Sequence, residues 1–285
     1  MTMIDQINGV AYPRQDPIPC PLCGLVNQPK PIPARFGMQT SVAECLPCRL
    51  AYQTPRPSDD ASRAYMNWRW SSGDRYVTDS ESKRRAARGN LRQVEAVRPG
   101  SGRLLDFGAG SGAFVRACLD GGWDAVGVEQ SESAIERAKT YYGISLHRTL
   151  PDDRFDVITM WDVVEHLRDP VALLRLLHDR LGKNGVLFME TGNYENWRRI
   201  LEGNRWGLYL LDHHFYFTPP SLEAATSRAG FSAFSVLDVD HSAPSLRRTL
   251  TRPRWGMRAW QAYRNAKKAW PEHGDINVMV AVAKA

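Results

Sequence analysis

Hydrophobic positions in the second part of the chain follow two different periods. Short, almost continuous apolar runs, such as "GRLLDFG" at 102–108 and "FDVITMWD" at 155–162, alternate with segments whose apolar residues lie three or four positions apart. The first pattern is typical of strands buried on both faces, and the second of amphipathic helices. Their alternation predicts a parallel sheet covered by helices, an α/β fold.

Further apolar runs and capping residues mark the other predicted elements. Asp169 and Pro170 suit the N-cap and first position of a helix, and Ser133 with Glu136 offers a capping box for an earlier one. Apolar runs that we predict as strands are "ISLHRTL" at 144–150 (the third), "GVLFMET" at 185–191 (the fifth), and the closing pair 231–240 and 276–285.

The N-terminal part is rich in Pro and Cys and shows little helical pattern. It contains two C-x-x-C pairs, Cys20 with Cys23 and Cys45 with Cys48. Each pair brings two sulfurs to one point, and two pairs complete a closed tetrahedral site, for which Zn²⁺ is favoured over iron. Disulfides are the alternative and fit a cytosolic protein poorly. We therefore predict a structural zinc module.

These patterns divide the chain into three parts. We place the zinc-ribbon module at residues 1–60, and a helical lead-in that could cover the active site at 61–99. The sheet domain follows at 100–285.

A glycine-rich turn follows the first predicted strand of the sheet. Gly108, Gly110 and Ala113 satisfy the dinucleotide pattern G-x-G-x-x-G/A, and Glu129 stands where a ribose ligand belongs. Asp106 ends the strand, however, and a carboxylate there would repel a pyrophosphate. It suits a cationic ligand without phosphate, such as S-adenosylmethionine (SAM). The turn therefore predicts SAM and S-adenosylhomocysteine, and not NAD, as ligands.

With Gly112 the turn becomes D-x-G-x-G-x-G, and residues 100–285 resemble a class I SAM-dependent methyltransferase. The segments "FDVITMWDVVEHLRDP" (155–170) and "DHHFYFTPPSLEAATSRAGF" (212–231) resemble those of the small-molecule members. The cysteine pairs resemble the zinc ribbon found on sugar and other small-molecule methyltransferases. The resemblance implies a Rossmann-like, seven-stranded methyltransferase sheet with one reversed edge strand.

The resemblance also implies a cofactor site at the carboxyl ends of the strands. Asp106 would orient the ammonium, Glu129 would bind the ribose hydroxyls, and Gln130 would flank the adenine. Residues 160–162 would border the methyl group. The implied cofactor-binding residues are Asp106, Gly108, Ala109, Gly110, Gly112, Glu129, Gln130, Met160, Trp161 and Asp162.

Two histidines are candidates for a catalytic base, His166 in "VVEHL" and His213 in "DHHFYF". An oxygen acceptor needs a group that takes its proton during methyl transfer. His166 follows the fourth strand, at the edge where open α/β sheets bind ligands. His213 matches a histidine of the family's "EHLYYFT" segment. We predict His213 as the base with His166 second, the alternative for each being a supporting hydrogen bond to its loop.

Length and charge narrow the function only slightly. The chain has 285 residues and a formal net charge of +6. Its apolar runs are too short to span a bilayer and its N-terminus lacks a signal-peptide pattern, so we expect a cytoplasmic enzyme. A basic balance suits nucleic acid, a membrane surface or a phosphorylated substrate. The basic segment 251–270 is either an amphipathic packing helix or a dock for an anionic acceptor.

The preferred function is methyl transfer to a small-molecule acceptor, most plausibly a hydroxyl of a sugar or secondary metabolite. One alternative is an RNA methyltransferase whose zinc ribbon binds RNA, although the Asn/Asp-Pro-Pro-Tyr motif for base amines is not present after strand four. Others are a C- or N-methyltransferase on a small molecule, and a non-enzymatic SAM-binding fold with a docking ribbon. Nucleic acid is thus a less favoured partner than a small molecule.

Overall fold

The computed structural model describes residues 5–7, 10–12, 16–33, 39–62, 64–65, 80–237 and 278–285. The basic segment 251–270 lies outside the described residues, as do residue 63 and residues 66–79 of the predicted lead-in. Among the described helices, none is long and apolar enough to cross a membrane.

The strands of the described chain form three sheets. They are β1 (Asp5–Ile7), β2 (Val10–Tyr12), β3 (Lys30–Pro33), β4 (Gln39–Cys45), β5 (Leu50–Gln53), β6 (Arg103–Phe107), β7 (Asp124–Val128), β8 (Phe155–Trp161), β9 (Leu181–Gly192), β10 (Phe215–Tyr216), β11 (Ala233–Leu237) and β12 (Val278–Lys284). The largest sheet has the order β11-β12-β9-β8-β6-β7, while β1 and β2 form a separate hairpin.

The helices connect these strands. They are α1 (Glu81–Val97), α2 (Ala113–Asp120), α3 (Glu132–Tyr142), α4 (Pro170–Arg180), α5 (Trp197–Glu202) and α6 (Pro219–Ala229). The predicted cap at Asp169 is confirmed, because its side chain accepts from Ala172 N. The cap predicted at Ser133 is wrong, because Ser131 accepts from Ala134 N and starts α3 earlier.

Alternate residues of the central strands face two apolar cores. Leu104 and Phe188 belong to the core that includes residues of α1, α2 and α3, whereas Leu105 and Met189 belong to the core that includes residues of α4 and α6. Both faces of the sheet are therefore covered, which explains why its strands are almost continuously apolar in sequence.

The sheet order confirms the predicted α/β fold and corrects two details. Strands β6, β7, β8 and β9 are parallel, and β12 is the reversed strand. It lies between β9 and β11 and not at the edge. The third strand, predicted at 144–150, is wrong. Where a seventh strand was expected beside β7, the structure has only an isolated parallel bridge between Val128 and His147. Leu146 is buried, but Pro151 follows and cannot donate a ladder hydrogen bond.

The N-terminal module has a sheet of its own with the order β10-β5-β4-β3. Strand β10 belongs to the second half of the chain and pairs with β5 through Phe215 with Tyr52 and Tyr216 with Ala51. The buried Tyr52 and Phe215 also share one apolar core with the large sheet. The module therefore packs as part of the main body, with no break in packing at residue 60.

Candidate cofactor site and active site

The four predicted cysteine ligands meet in the module. Cys20, Cys23, Cys45 and Cys48 are free thiols whose sulfurs all lie within 4.8 Å of one another. The Sγ atoms of Cys23 and Cys45 are 3.4 Å apart, near the roughly 3.8 Å that tetrahedral Zn–S bonds of about 2.3 Å require. Burial raises the pKa of the Cys20 thiol to about 11, while the backbone of Leu25 lowers that of Cys23 to about 7. The donor set is compatible with a structural zinc ion.

The glycine turn lies between β6 and α2, at the carboxyl edge of the sheet. Gly108 and Gly112 have φ values of 81° and 79°, which side chains rarely adopt. A Cβ at Gly108 would lie 2.5 Å from Val163 Cγ2, and one at Gly112 would lie 2.5 Å from Ile144 Cδ1. Packing thus requires both glycines, in addition to any role in admitting a ligand.

Asp106 lies at the centre of this edge and is only 2% exposed. Its Oδ1 accepts a hydrogen bond from Thr159 Oγ1 at 2.7 Å. Burial raises its pKa to about 7; the Thr159 hydroxyl opposes that shift, and the charge of Glu129 adds to it. A cation bound nearby would stabilise the ionised carboxylate, as expected for a group that receives an ammonium or sulfonium.

Glu129 follows β7 and is fixed by backbone amides. Its Oε2 accepts from Gly110 N at 2.8 Å, and its Oε1 accepts from Gln130 N and Ser131 N, each at 2.8 Å. The carboxylate is thereby tied to the glycine turn, to which Ala109 also belongs, and Gln130 is exposed beside it. The structure brings these predicted residues together at one end of the sheet.

The three predicted residues at the end of β8, Met160 to Asp162, differ in how deeply they are buried. Met160 is fully buried in the core, so its side chain does not reach the edge. Trp161 packs against Phe114 of α2 with a ring-centroid distance of 5.1 Å, and its buried Nε1 has no hydrogen-bond partner among the described residues. Asp162 is exposed and has a φ of 55°. Of the three predicted residues, only Asp162 is exposed, while the half-buried Trp161 keeps an indole N–H without a partner among the described residues.

This donor set fits SAM. The buried Asp106 supplies negative charge, Glu129 retains acceptor capacity for hydroxyls, and the indole N–H of Trp161 has no partner in the described part of the chain. Each belongs to a different strand end, and β6 is flanked by β7 and β8.

The two predicted histidines, His166 and His213, also meet. Their rings lie at 82° with centroids 4.7 Å apart. His166 Nδ1 is 2.8 Å from the backbone oxygen of Asp212 and 3.5 Å from its Oδ2. Because a carbonyl oxygen only accepts, this contact assigns the hydrogen to Nδ1 and leaves the lone pair on Nε2. His166 is half-buried, whereas His213 is buried.

Sequence reasoning missed Glu165, which lies beside the histidines. It is buried, and its Oε2 accepts from Thr191 Oγ1 at 2.9 Å. Burial raises its pKa to about 7, a shift that the charge of His166 opposes and that of Asp162 increases. Donor atoms of Glu165, His166 and His213 all lie within 4.8 Å of one another. The group can take up a proton or hold a divalent cation.

The carboxyl edge therefore carries a concentration of acidic groups. Burial also raises the pKa of Glu190 to about 8, with contributions from the charges of Asp162 and Glu165. Only proximity to His166 in "VVEHL" could have indicated Glu165, since a glutamate in a turn is usually exposed.

Comparison with protein families matches residues 78–236 to the family described as "Methyltransferase domain". The matched residues cover more than half of the chain and contain the glycine turn and both histidines.

Individual relatives differ in what they act on. A tRNA U34 carboxymethyltransferase of Alteromonas mediterranea is 26% identical over 244 residues, covering 77% of this chain and 72% of that protein. A ubiquinone biosynthesis O-methyltransferase of Azorhizobium caulinodans is 30% identical over 157 residues, covering 48% and 62%. The chain thus spans just under two thirds of the second relative.

Solved structures share the fold. A SAM-dependent methyltransferase from Archaeoglobus fulgidus superposes with a TM-score of 0.51 at 17% identity, covering 78% of this chain and 99% of that one.

Proposed function

The chain belongs to the methyltransferase-domain family, and we propose that it transfers the methyl group of SAM to a hydroxyl of a small molecule in the cytoplasm. It is a SAM-dependent methyltransferase with a Rossmann-like sheet, as the sequence predicted. Sugars and secondary metabolites are the proposed class of acceptor. One observation carries the proposal. The acidic residues Asp106 and Glu129 and the hydrogen-bonded His166 all lie at the carboxyl ends of the neighbouring strands β6, β7 and β8.

The cofactor half of the site holds and orients a cation. SAM, when bound, supplies a methyl group on a positively charged sulfonium. Asp106 and Glu129 favour its charged and hydroxylated groups, and Trp161 offers an indole N–H. These residues act on binding and orientation, which is the main contribution a methyltransferase needs for an in-line transfer.

The acceptor half handles a proton. In our proposal His166 accepts the hydroxyl proton at Nε2, because its Nδ1–H is held by the Asp212 carbonyl. The Asp212 carboxylate, 3.5 Å away, would stabilise the imidazolium that forms. His213 packs edge-on against the ring of His166. This order of preference differs from the sequence-based prediction, which placed His213 first.

A tRNA acceptor is the second candidate, favoured by the similarity to the tRNA U34 carboxymethyltransferase. The acidic side chains at the described edge argue against it. Burial raises the pKa of Asp106, Glu165 and Glu190 to about 7, 7 and 8, so the repulsion comes mainly from the less buried Glu129 and Asp162. Their carboxylates would repel a polyanionic acceptor and the extra carboxylate of a carboxymethyl donor.

The test is a competition between acceptor classes. Purified enzyme and methyl-labelled SAM are incubated with a panel of sugars, nucleotide sugars and phenols, and separately with tRNA lacking the wobble modification. We expect mass spectrometry to find the label in a small molecule, with turnover lost in His166→Gln and kept in His147→Gln, an exposed control. Label in tRNA alone would contradict the proposal. If a chelator abolished turnover and Mg²⁺ or Mn²⁺ restored it, the role that we assign to the histidine base would belong to a metal ion.

A further inference from the structure

We propose that the cysteine module positions the catalytic histidine, and that Gln53 is the residue through which it does so. The inference rests on the proposed role of His166 and adds to it a task for the module beyond binding its own metal.

Gln53 is completely buried at the end of β5. Its Nε2 donates to Leu211 O at 3.2 Å, and its Oε1 accepts from His214 Nδ1 at 3.0 Å. Its backbone N donates to His214 O at 2.9 Å. Burial, together with the charges of Arg168 and Arg56, lowers the pKa of His214 well below its usual value, so His214 is a neutral donor. One residue of the module therefore holds both ends of the segment 211–214.

The segment 211–214 in turn orients His166. Asp212 lies inside it and offers its backbone oxygen to His166 Nδ1 at 2.8 Å. His214 N donates to Glu165 O at 2.8 Å, which fixes the same segment to the turn that carries His166. A shift of the segment would therefore move the acceptor of the His166 Nδ1–H and rotate the imidazole.

The cysteines are directly connected to this support. Cys45 is paired with Leu50 across β4 and β5, and Cys48 lies two residues before β5 begins. Thr40, on β4, holds the Gln53 amide through its Oγ1 at 2.6 Å. On the C-terminal side of the segment 211–214, Thr218 Oγ1 donates to Arg49 O at 2.9 Å. Closing the cysteine site thus fixes the strand on which the 211–218 segment rests.

The cofactor half is supported differently. Gly108 N and Ala109 N donate to Val128 O, each at 2.9 Å, and Gly110 N donates to Glu129. These bonds stay within the large sheet and its turns. A disturbance of the module should therefore weaken the orientation of His166 and leave SAM binding nearly unchanged.

The first test replaces Gln53 by Met, which keeps the size and removes the side-chain hydrogen bonds. We expect kcat to fall by roughly 10- to 100-fold, the cost of a misplaced catalytic group, with the Kd for SAM within about twofold. Thr40→Val, which removes only the support of the amide, should give a smaller fall in the same direction. Lys30→Ala is the control, because it shortens an exposed side chain on β3 of the same sheet. Equal kcat in Gln53→Met and the Lys30→Ala control, together with an unchanged ring ¹⁵N signal of His166, would overturn the proposal.

A second measurement does not depend on the acceptor. In histidine-labelled protein, the ring ¹⁵N signals of His166 and His214 report which nitrogen carries hydrogen. We expect both to change in Gln53→Met and in Cys45→Ser. Elemental analysis should find stoichiometric zinc in the wild type and none in Cys45→Ser. An unchanged His166 signal would refute the positioning role. A changed His166 signal with unchanged turnover would uphold the positioning role of Gln53 and refute His166 as the base.

Discussion

The two halves of the site are assembled in different ways. The cofactor half comes from one short stretch of chain, in which backbone amides of the glycine turn donate to Val128 O and to the Glu129 carboxylate, and Asp106 is paired with Gly127 across β6 and β7. The acceptor half joins residues far apart in sequence, since His166, Asp212 and Gln53 belong to three separate segments. The first half is therefore robust and local, whereas the second depends on how the module packs against the sheet domain.

The largest expected effect comes from a change in the acceptor half that should leave the cofactor half intact. His166→Gln should lower kcat by ~10²–10⁴-fold, the usual cost of losing a general base. The Kd for SAM should stay within about twofold, because none of the hydrogen bonds described for the glycine turn involves His166. Single-turnover rates and calorimetry measure the two quantities. A comparable loss in affinity for SAM would show that the halves are not separate.

The complementary change acts on the cofactor side. Asp106→Asn keeps a partner for Thr159 and removes the buried charge. Binding of SAM should weaken by roughly 1–3 kcal/mol, the range for hydrogen bonds to charged groups. The rate at saturating SAM should change much less. Calorimetry with SAM, S-adenosylhomocysteine and NAD checks this, and unaltered SAM affinity would remove Asp106 from the cofactor site.

A pH effect sharpens the role of Asp106. Its pKa is raised to about 7 by burial, and a bound cation favours the ionised form. SAM affinity should therefore increase as the pH rises through about 7 and decrease below it, by roughly tenfold per unit at the acidic end. Asp106→Asn should remove this dependence. A flat profile in the wild type would mean that another group balances the cofactor's charge.

An effect on stability, with no expected effect on the acceptor half, concerns packing at the turn. Gly112→Ala places a methyl group against Ile144 at a positive φ, so the turn must distort. We expect stability to fall by roughly 1–3 kcal/mol, as is usual for strained backbone positions. Thermal unfolding measures this. Gly143→Ala has a positive φ but open space around its Cβ position, so it controls for backbone strain alone. Equal losses in both variants would show that contact with Ile144 contributes nothing.

The sequence was most informative where structure is local. Continuous apolar runs predicted β6, β8 and β9, and the spacing of Cys20 to Cys48 predicted the cysteine cluster that the structure contains. Repulsion between Asp106 and phosphate predicted the ligand class. Each inference needed only neighbouring residues, because strand burial and ligand spacing are short-range properties.

The sequence was least informative where distant segments meet. Residues 144–150 looked like a strand, but only one bridge forms, since strand pairing depends on neighbours in space. Gln53 is separated from His214 by 161 residues, and β10 completes the sheet of the module from the far side of the chain. Our proposal prefers His166 to His213 for a similar reason, because the contact of His166 with Asp212 exists only in the folded protein.

The most direct test of the central claim identifies the atom that receives the methyl group. SAM with a ¹³C-labelled methyl is turned over with the best acceptor from the panel, and the product is examined by ¹³C NMR. We predict a single methyl ether signal on a small molecule, since His166 is oriented to remove a hydroxyl proton. A methyl group on nitrogen or carbon, or label recovered only in tRNA, would contradict the account.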